Sequence, residues 1–203
     1  MITSVLLGVV VLSVVVSLYL HVRYPELRWD WDTIDTDEVD FPADFVWGTA
    51  TAAHQVEGGM PDNNWTWWET QTDKHGRPRI HGGAKSGSAV EHFSRYAEDI
   101  RRMRDELGVD SYRFSVSWSR IEPEEGRFDS AAIDHYSRVI DHLLEADIEP
   151  MVTLHHFTHP LWFEQKGSFE HRENLDSFVR FSQEVFSRFS DRVPRWCTHN
   201  EPG

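Results

Sequence analysis

Ile148-Glu149-Pro150-Met151-Val152-Thr153-Leu154-His155-His156 is an apolar run rich in Val, Leu and Thr, and its composition reads as a strand. Helical patterns lie on both sides of it. Upstream, Asp129 can cap a helix that places Ile133, Tyr136, Ile140 and Leu143 on one face. Downstream, Asn174 can cap a helix with Leu175, Phe178, Val185 and Phe189 turned inward. Further out the alternation repeats. Val109 to Trp118 and Val193 to Glu201 read as strands, and Phe45-Val46-Trp47-Gly48-Thr49-Ala50 as a short one. Ser88-Ala89-Val90-Glu91 has the capping-box pattern, and Ala89, Phe93, Tyr96, Ile100, Met103 and Leu107 follow at helical spacing until Gly108 ends the helix. Residues 57–86 form a long irregular segment with several Gly, Pro, Asn and Asp. The order β-α-β-α-β-α-β predicts parallel strands joined by crossover helices, either an open doubly wound sheet or part of a barrel. No Gly-x-Gly-x-x-Gly follows the first strand, which lowers the nucleotide-binding option.

The chain has 203 residues, short of the roughly 250 of a complete (β/α)8 barrel. Its net charge of −14 argues against a nucleic-acid partner, which needs a basic footprint. The single Cys197 excludes an internal disulfide framework. Nine Trp residues are many, and flat apolar rings suit both a core and the C–H faces of sugars. Ile2 to Val22 contains no Asp, Glu, Lys or Arg, and about 20 apolar residues span a hydrocarbon core as a helix. No basic stretch precedes the run and no small-x-small site follows it, so an uncleaved single-pass anchor is favoured over a signal peptide. Three regions follow: a transmembrane anchor over 1–22, an acidic linker over 23–40, and a folded part over 41–203.

Polar residues gather where the predicted strands end. Gln55 and Glu57 follow the first; Arg113, Ser115 and Ser117 run along the second. His155 and His156 close the third, and Asn200 and Glu201 the fourth. In a barrel all of these would face one mouth, where such folds place their active sites. A carboxylic acid beside an amide, as in Asn200-Glu201-Pro202, suits proton delivery to a glycosidic oxygen, although an Asn-Glu pair can equally cap a strand. His155, His156 and His159 raise a metal reading. Adjacent residues of a strand face opposite ways, however, so His155 and His156 make poor joint ligands and no metal or other cofactor is expected.

Four blocks then arrive in order: Asp44-Phe45 through Gly48-Thr49-Ala50-Thr51-Ala52-Ala53-His54-Gln55-Val56-Glu57-Gly58; Tyr112-Arg113-Phe114-Ser115-Val116-Ser117-Trp118-Ser119-Arg120-Ile121; Val152-Thr153-Leu154-His155-His156-Phe157; and Trp196 through Pro202. Together they resemble family 1 glycoside hydrolases, the β-glucosidase and β-galactosidase group. The resemblance implies an α/β fold that is the N-terminal half of a (β/α)8 TIM barrel, here preceded by a transmembrane helix. It implies hydrolysis of a β-linked glycoside or oligosaccharide without a cofactor. By the same resemblance Glu201 is the acid/base, and Arg113 keeps a nucleophile carboxylate ionised. Gln55 and His156 bind hydroxyls of the glycone, Phe157 lines it, and Asn200 contacts the 2-hydroxyl.

Two departures qualify this. His155-His156-Phe157-Thr158 stands where the family commonly has Tyr-His-Trp-Asp, so an aromatic face is kept and an indole N–H is lost. The family's nucleophile is a second Glu in a Thr-Glu-Asn-Gly-like run that these residues do not contain. The expectation is therefore the first half of a retaining glycosidase, inactive by itself. The rival reading is a membrane-anchored sugar-binding module without catalysis.

Overall fold

The computed structural model describes residues 2–24, 35 and 40–202, and contacts divide the chain into two compact units, Met1–Phe45 and Val46–Gly203. In the first unit, helix α1 (Ile2–Arg23) includes a stretch, Val5–Arg23, with a mean hydropathy of 2.6 and no part buried. It is long and apolar enough to cross a membrane, and it is the one helix of that kind among the described residues. Val5 through Val22 present apolar side chains on every side, so the helix has no face prepared for packing on a soluble core. Most of the acidic linker expected over 23–40 lies outside the described residues.

The second unit carries β1 (Gly48–Thr51), β2 (Ser111–Ser115), β3 (Glu149–His155) and β4 (Arg195–His199), all parallel and in the order β1-β2-β3-β4. Between them lie the short helices α2 (Ala53–Val56) and α3 (Asn64–Trp68), then α4 (His92–Arg102), α5 (Trp118–Ile121), α6 (Ser130–Glu145), α7 (Leu161–Gln165) and α8 (Leu175–Phe189). The strand order never reverses, which removes the doubly wound alternative, since that fold turns back at a switch point. One contiguous core joins Tyr112, Phe114, Val152 and Leu154 of the sheet to Ile100 of α4, Tyr136 and Ile140 of α6, and Val185 and Phe189 of α8. Helices therefore cover one face. The alternate residue Arg113 lies on the other face, the side that becomes the interior of a barrel.

Four local expectations need correction, one of them Leu175, counted with the inward face of α8 but 37% exposed at its first turn. Ser88 caps nothing: Ala89 and Glu91 sit at φ 47° and 60°, and α4 starts at His92 without a side-chain cap. A left-handed turn has replaced the capping box, and it carries Phe93 N to the Glu57 carbonyl (3.3 Å) instead. Leu107, counted with the inward face, is 64% exposed because the helix widens into a π turn over Met103–Leu107. Asn174 does occupy the N-cap of α8, but its side-chain amide donates backward to the carbonyls of Lys166 and Ser168, both at 2.9 Å. Asp129 behaves as expected, accepting from Ala131 N and Ala132 N at the start of α6.

The irregular segment is ordered by polar contacts. Asn63 accepts from Trp65 N and Thr66 N, while the Thr66 hydroxyl accepts from Asn63 N, a reciprocal cap for α3. Gly58, at φ 73°, lies so close to Ser88 that an added Cβ would fall 1.9 Å from the Ser88 carbonyl oxygen, so only glycine fits there.

Candidate active site

Because the strands are parallel, their carboxyl ends share one side, and four candidate residues meet there. The Arg113 guanidinium Nη1 donates to Asn200 Oδ1 at 3.0 Å, crossing from β2 to the residue just after β4 and passing over β3. His156, immediately after β3, is sensitive to both Arg113 and Glu201. Burial holds its imidazole below the usual histidine range, the Arg113 charge pushes in the same direction, and the Glu201 charge opposes them. Its Nδ1 is buried and has no hydrogen-bond partner among the described residues. A neutral imidazole with an unused nitrogen is ready to meet a hydroxyl group. Glu201 itself is exposed, at a left-handed φ of 47°.

This electrostatic triangle is testable. Glu201→Gln removes the opposing charge and should lower the His156 pKa further; Arg113→Met should raise it. Imidazole titration by NMR checks both signs, and unchanged titration in either variant would show that the three groups are not close.

Phe157 adopts φ 66°, a conformation that costs a non-glycine residue of order 1–3 kcal/mol. Neighbours hold it there. Asn64 Nδ2 donates to the Phe157 carbonyl (3.1 Å), and Asn64 Oδ1 accepts from His159 N (3.0 Å). Trp65 stacks on the Phe157 ring at 5.8 Å and 19°, and His156 meets that ring edge-on at 5.0 Å. Gln55 sits on α2, exposed just beyond β1, and among the described residues no hydrogen bond joins it to Arg113, His156, Asn200 or Glu201. Sequence reasoning missed Asn64 and Trp65. The available signal was the Asn63-x-x-Thr66 cap spacing, which marks a helix start inside the supposed loop.

His155 and His156 do part company, as strand alternation requires. His155 is buried with Phe169, Phe178 and His199, and burial pushes its imidazole down to about 3. Its Nε2 faces His159 Nδ1 at 3.3 Å, and His159 Nε2 pairs with Glu164 at 2.7 Å. Among the described residues no group of three or more His, Cys, Asp or Glu side chains is arranged to hold a metal ion.

The other carboxylates near the motifs have protein partners. Glu57 is buried between Arg120 Nε (2.8 Å) and the Tyr136 hydroxyl, which donates to it at 2.7 Å; burial nonetheless pushes its carboxyl upward. Glu69 accepts from Ser86 and faces His54, and hydrogen bonds hold its carboxyl below the usual range despite partial desolvation. Among the described residues none of the three, Glu57, Glu69 or Glu164, is hydrogen-bonded or ion-paired to Arg113 or Asn200. A cavity of about 550 Å³ at the opposite strand ends, beside Glu149, Pro150 and Val193, is remote from all of this and lies on the stability face of such folds.

The family model for glycosyl hydrolase family 1 matches residues 37–203. Beta-glucosidase A of Acetivibrio thermocellus is 40% identical over 167 residues, covering 82% of this chain and 37% of that protein. Beta-glucosidase A of Thermotoga maritima is 40% identical over 163 residues, with 80% and 36% covered. Among solved structures, the psychrophilic beta-glucosidase of Micrococcus antarcticus superposes with a TM-score of 0.75 at 40% identity, over 81% of this chain and 35% of that one. The T. maritima beta-glucosidase in complex with castanospermine gives 0.73 at 40% identity, over 80% and 37%. The chain thus spans little more than a third of the length of these relatives. With a family match across most of its residues, four ordered motifs and the same fold, this chain belongs to glycosyl hydrolase family 1.

Proposed function

We propose that residues 46–203 form the first half of a (β/α)8 barrel that hydrolyses β-glycosides with retention, and that Glu201 is its acid/base. The observation that supports this most is the unpartnered, buried Nδ1 of His156, set beside the Arg113–Asn200 pair and within the field of Glu201. In this reading His156 and Gln55 hold glycone hydroxyls, Phe157 backs the ring, and Asn200 meets the 2-hydroxyl. Glu201 protonates the departing oxygen and then takes a proton from water. Retention needs a second carboxyl roughly 5–5.5 Å away to form the glycosyl-enzyme. Glu57, Glu69 and Glu164 have protein partners, the family's nucleophile run is not among residues 1–203, and Arg113 is the residue that would keep that carboxyl ionised. Helix α1 serves as a single-pass membrane anchor, consistent with its length and all-round apolarity.

A mechanism-based probe tests the assignment. A 2-deoxy-2-fluoro-β-glucoside with a dinitrophenolate leaving group traps the nucleophile as a covalent adduct, read by intact mass. Residues 1–203 alone should gain no adduct. With the second half of a family 1 barrel supplied, fused or in trans, one adduct should form on that half. An adduct on Glu57, Glu69 or Glu164 would overturn the reading. Glycoside binding with no adduct and no turnover in the completed barrel would favour the sugar-binding module instead.

A further inference from the structure

Three histidines that the proposed chemistry does not use lie together at the ends of β3 and β4. His155 ends β3, His159 follows four residues later and His199 ends β4, with the Phe169 and Phe178 rings packed among them. Their backbone is tied to the site on two sides. The His155 carbonyl accepts from Asn200 N at 2.9 Å, and His159 N donates to the Asn64 side chain that also holds Phe157. The side chains form a directed line. A carboxylate only accepts, so its 2.7 Å contact with Glu164 places a proton on His159 Nε2. In the neutral imidazole Nδ1 is then a lone pair, and the 3.3 Å contact makes His155 Nε2 the donor to it.

Among the described residues Glu164 is the one carboxylate bonded to these rings. The other facing elements bring little charge. His199 of β4 and His156 after β3 are imidazoles, and Arg113 and Glu201 act on His156. Helix α8 brings Phe178, and the turn Ser168–Glu170 brings Phe169 with its own carboxylate exposed. Helix α3 leads to Glu69, which is bonded to His54 and Ser86, and Lys166 after α7 pairs with Glu125. One added proton fits this line without breaking it. If it binds His155 Nδ1, the His155 Nε2–H bond can break as an N–H bond forms at His159 Nδ1. His155 ends neutral with its proton on Nδ1, and His159 becomes an imidazolium against Glu164. Both hydrogen bonds survive, the first with its direction reversed. Charge is better placed on His159 than on its neighbour. Burial pushes both imidazoles down, but the Glu164 hydrogen bond and charge oppose it at His159, whereas His155 is pushed to about 3 by burial and then by the other three histidines. We propose that Glu164, His159 and His155 form a proton-accepting latch: it takes up one proton in mild acid, stores it on His159 by swapping the His155 tautomer, and keeps the segment that carries His156 and Phe157 fastened.

The latch does not rest on catalysis, and imidazole nitrogen NMR of the full chain in detergent micelles, titrated across about pH 5–8, tests it. As His159 becomes an imidazolium, His155 should pass from the Nε2–H to the Nδ1–H tautomer at the same midpoint and stay neutral. Glu164→Gln keeps an acceptor but no charge, and should lower the His159 midpoint by about 1–2 pH units. The effect on stability has a definite sign. Below the ordinary histidine value of 6.5 the unfolded chain takes up protons that the folded cluster resists, so acid opposes folding. Glu164 lessens that loss by admitting one proton, and the Glu164→Gln deficit in urea unfolding should grow as pH falls. His155 keeping one tautomer throughout, or becoming charged before His159, would overturn the inference in the wild-type chain alone. A His159 midpoint unmoved by Glu164→Gln, in a variant whose neutral-pH spectrum matches the wild type, would overturn it as well.

Discussion

Glu201→Gln is expected to lower turnover of a β-glucoside by about 10²–10⁴-fold in a barrel completed with the family's second half, the range that one general acid/base supplies. The reasoning starts from position. Glu201 follows β4 at the carboxyl ends of four parallel strands, next to the Asn200 amide that Arg113 fixes at 3.0 Å. Gln keeps the side chain's length and polarity but holds no transferable proton, so ground-state contacts persist and the chemical step suffers. KM should move little compared with kcat. Steady-state kinetics on both parameters checks this, and a pure KM effect would assign Glu201 to binding instead.

Arg120→Met should be the most damaging substitution for stability among the polar residues, at about 3–5 kcal/mol, the range for removing one partner of a buried ion pair. Arg120 does more than pair with Glu57. Its Nη2 donates to the carbonyls of Gly58 (2.6 Å) and Gly59 (3.3 Å), tying the segment after β1 to α5. Without it, Glu57 is a buried carboxylate supported only by the Tyr136 hydroxyl, which also accepts from Ser117 N. The pH dependence follows in sign. Burial already raises the Glu57 carboxyl above its usual range, and loss of Arg120 raises it further. The folded variant then binds a proton that the unfolded chain, near 4.5, does not hold until lower pH. Its stability should recover as pH falls through the raised value toward about 4.5. Glu57→Gln added to Arg120→Met should recover part of the loss at neutral pH. Urea unfolding at two pH values checks both statements, and a deficit independent of pH would assign the damage to packing.

What could be read without the structure divides along physical lines. Strands and long helices were legible because burial imposes periodicity: Ile133, Tyr136, Ile140 and Leu143 are all buried, as their spacing predicted. The choice between a doubly wound sheet and a barrel was not legible in the local pattern, because strand order is a tertiary fact; it came from the resemblance carried by the four blocks. The Ser88–Glu91 pattern misled because two left-handed residues, which no composition rule marks, aim the backbone elsewhere. At the site, Arg113, His156, Asn200 and Glu201 were singled out by motif and strand-end position; Arg113 is hydrogen-bonded to Asn200, and His156 lies within the charge influence of Arg113 and Glu201. Asn64 and Trp65 were not, since their partner Phe157 lies more than 90 residues away and nothing local couples them. The Glu57–Arg120–Tyr136 network is hidden for the same reason, although Glu57 and Arg120 sit in blocks, and Tyr136 on a helix face, that the sequence had singled out for other roles.

The dependence of the Glu201→Gln defect on leaving group tests the central claim most directly. In the completed barrel, the loss in kcat/KM should be small for a dinitrophenyl β-glucoside, which departs without protonation, and large for an unactivated disaccharide, while kcat falls for both because hydrolysis of the glycosyl-enzyme has lost its base. Added azide should restore turnover by yielding the β-glycosyl azide, since a small anion replaces water that no longer has a base. Equal losses for both substrates, with no response to azide, would show that Glu201 is not the acid/base.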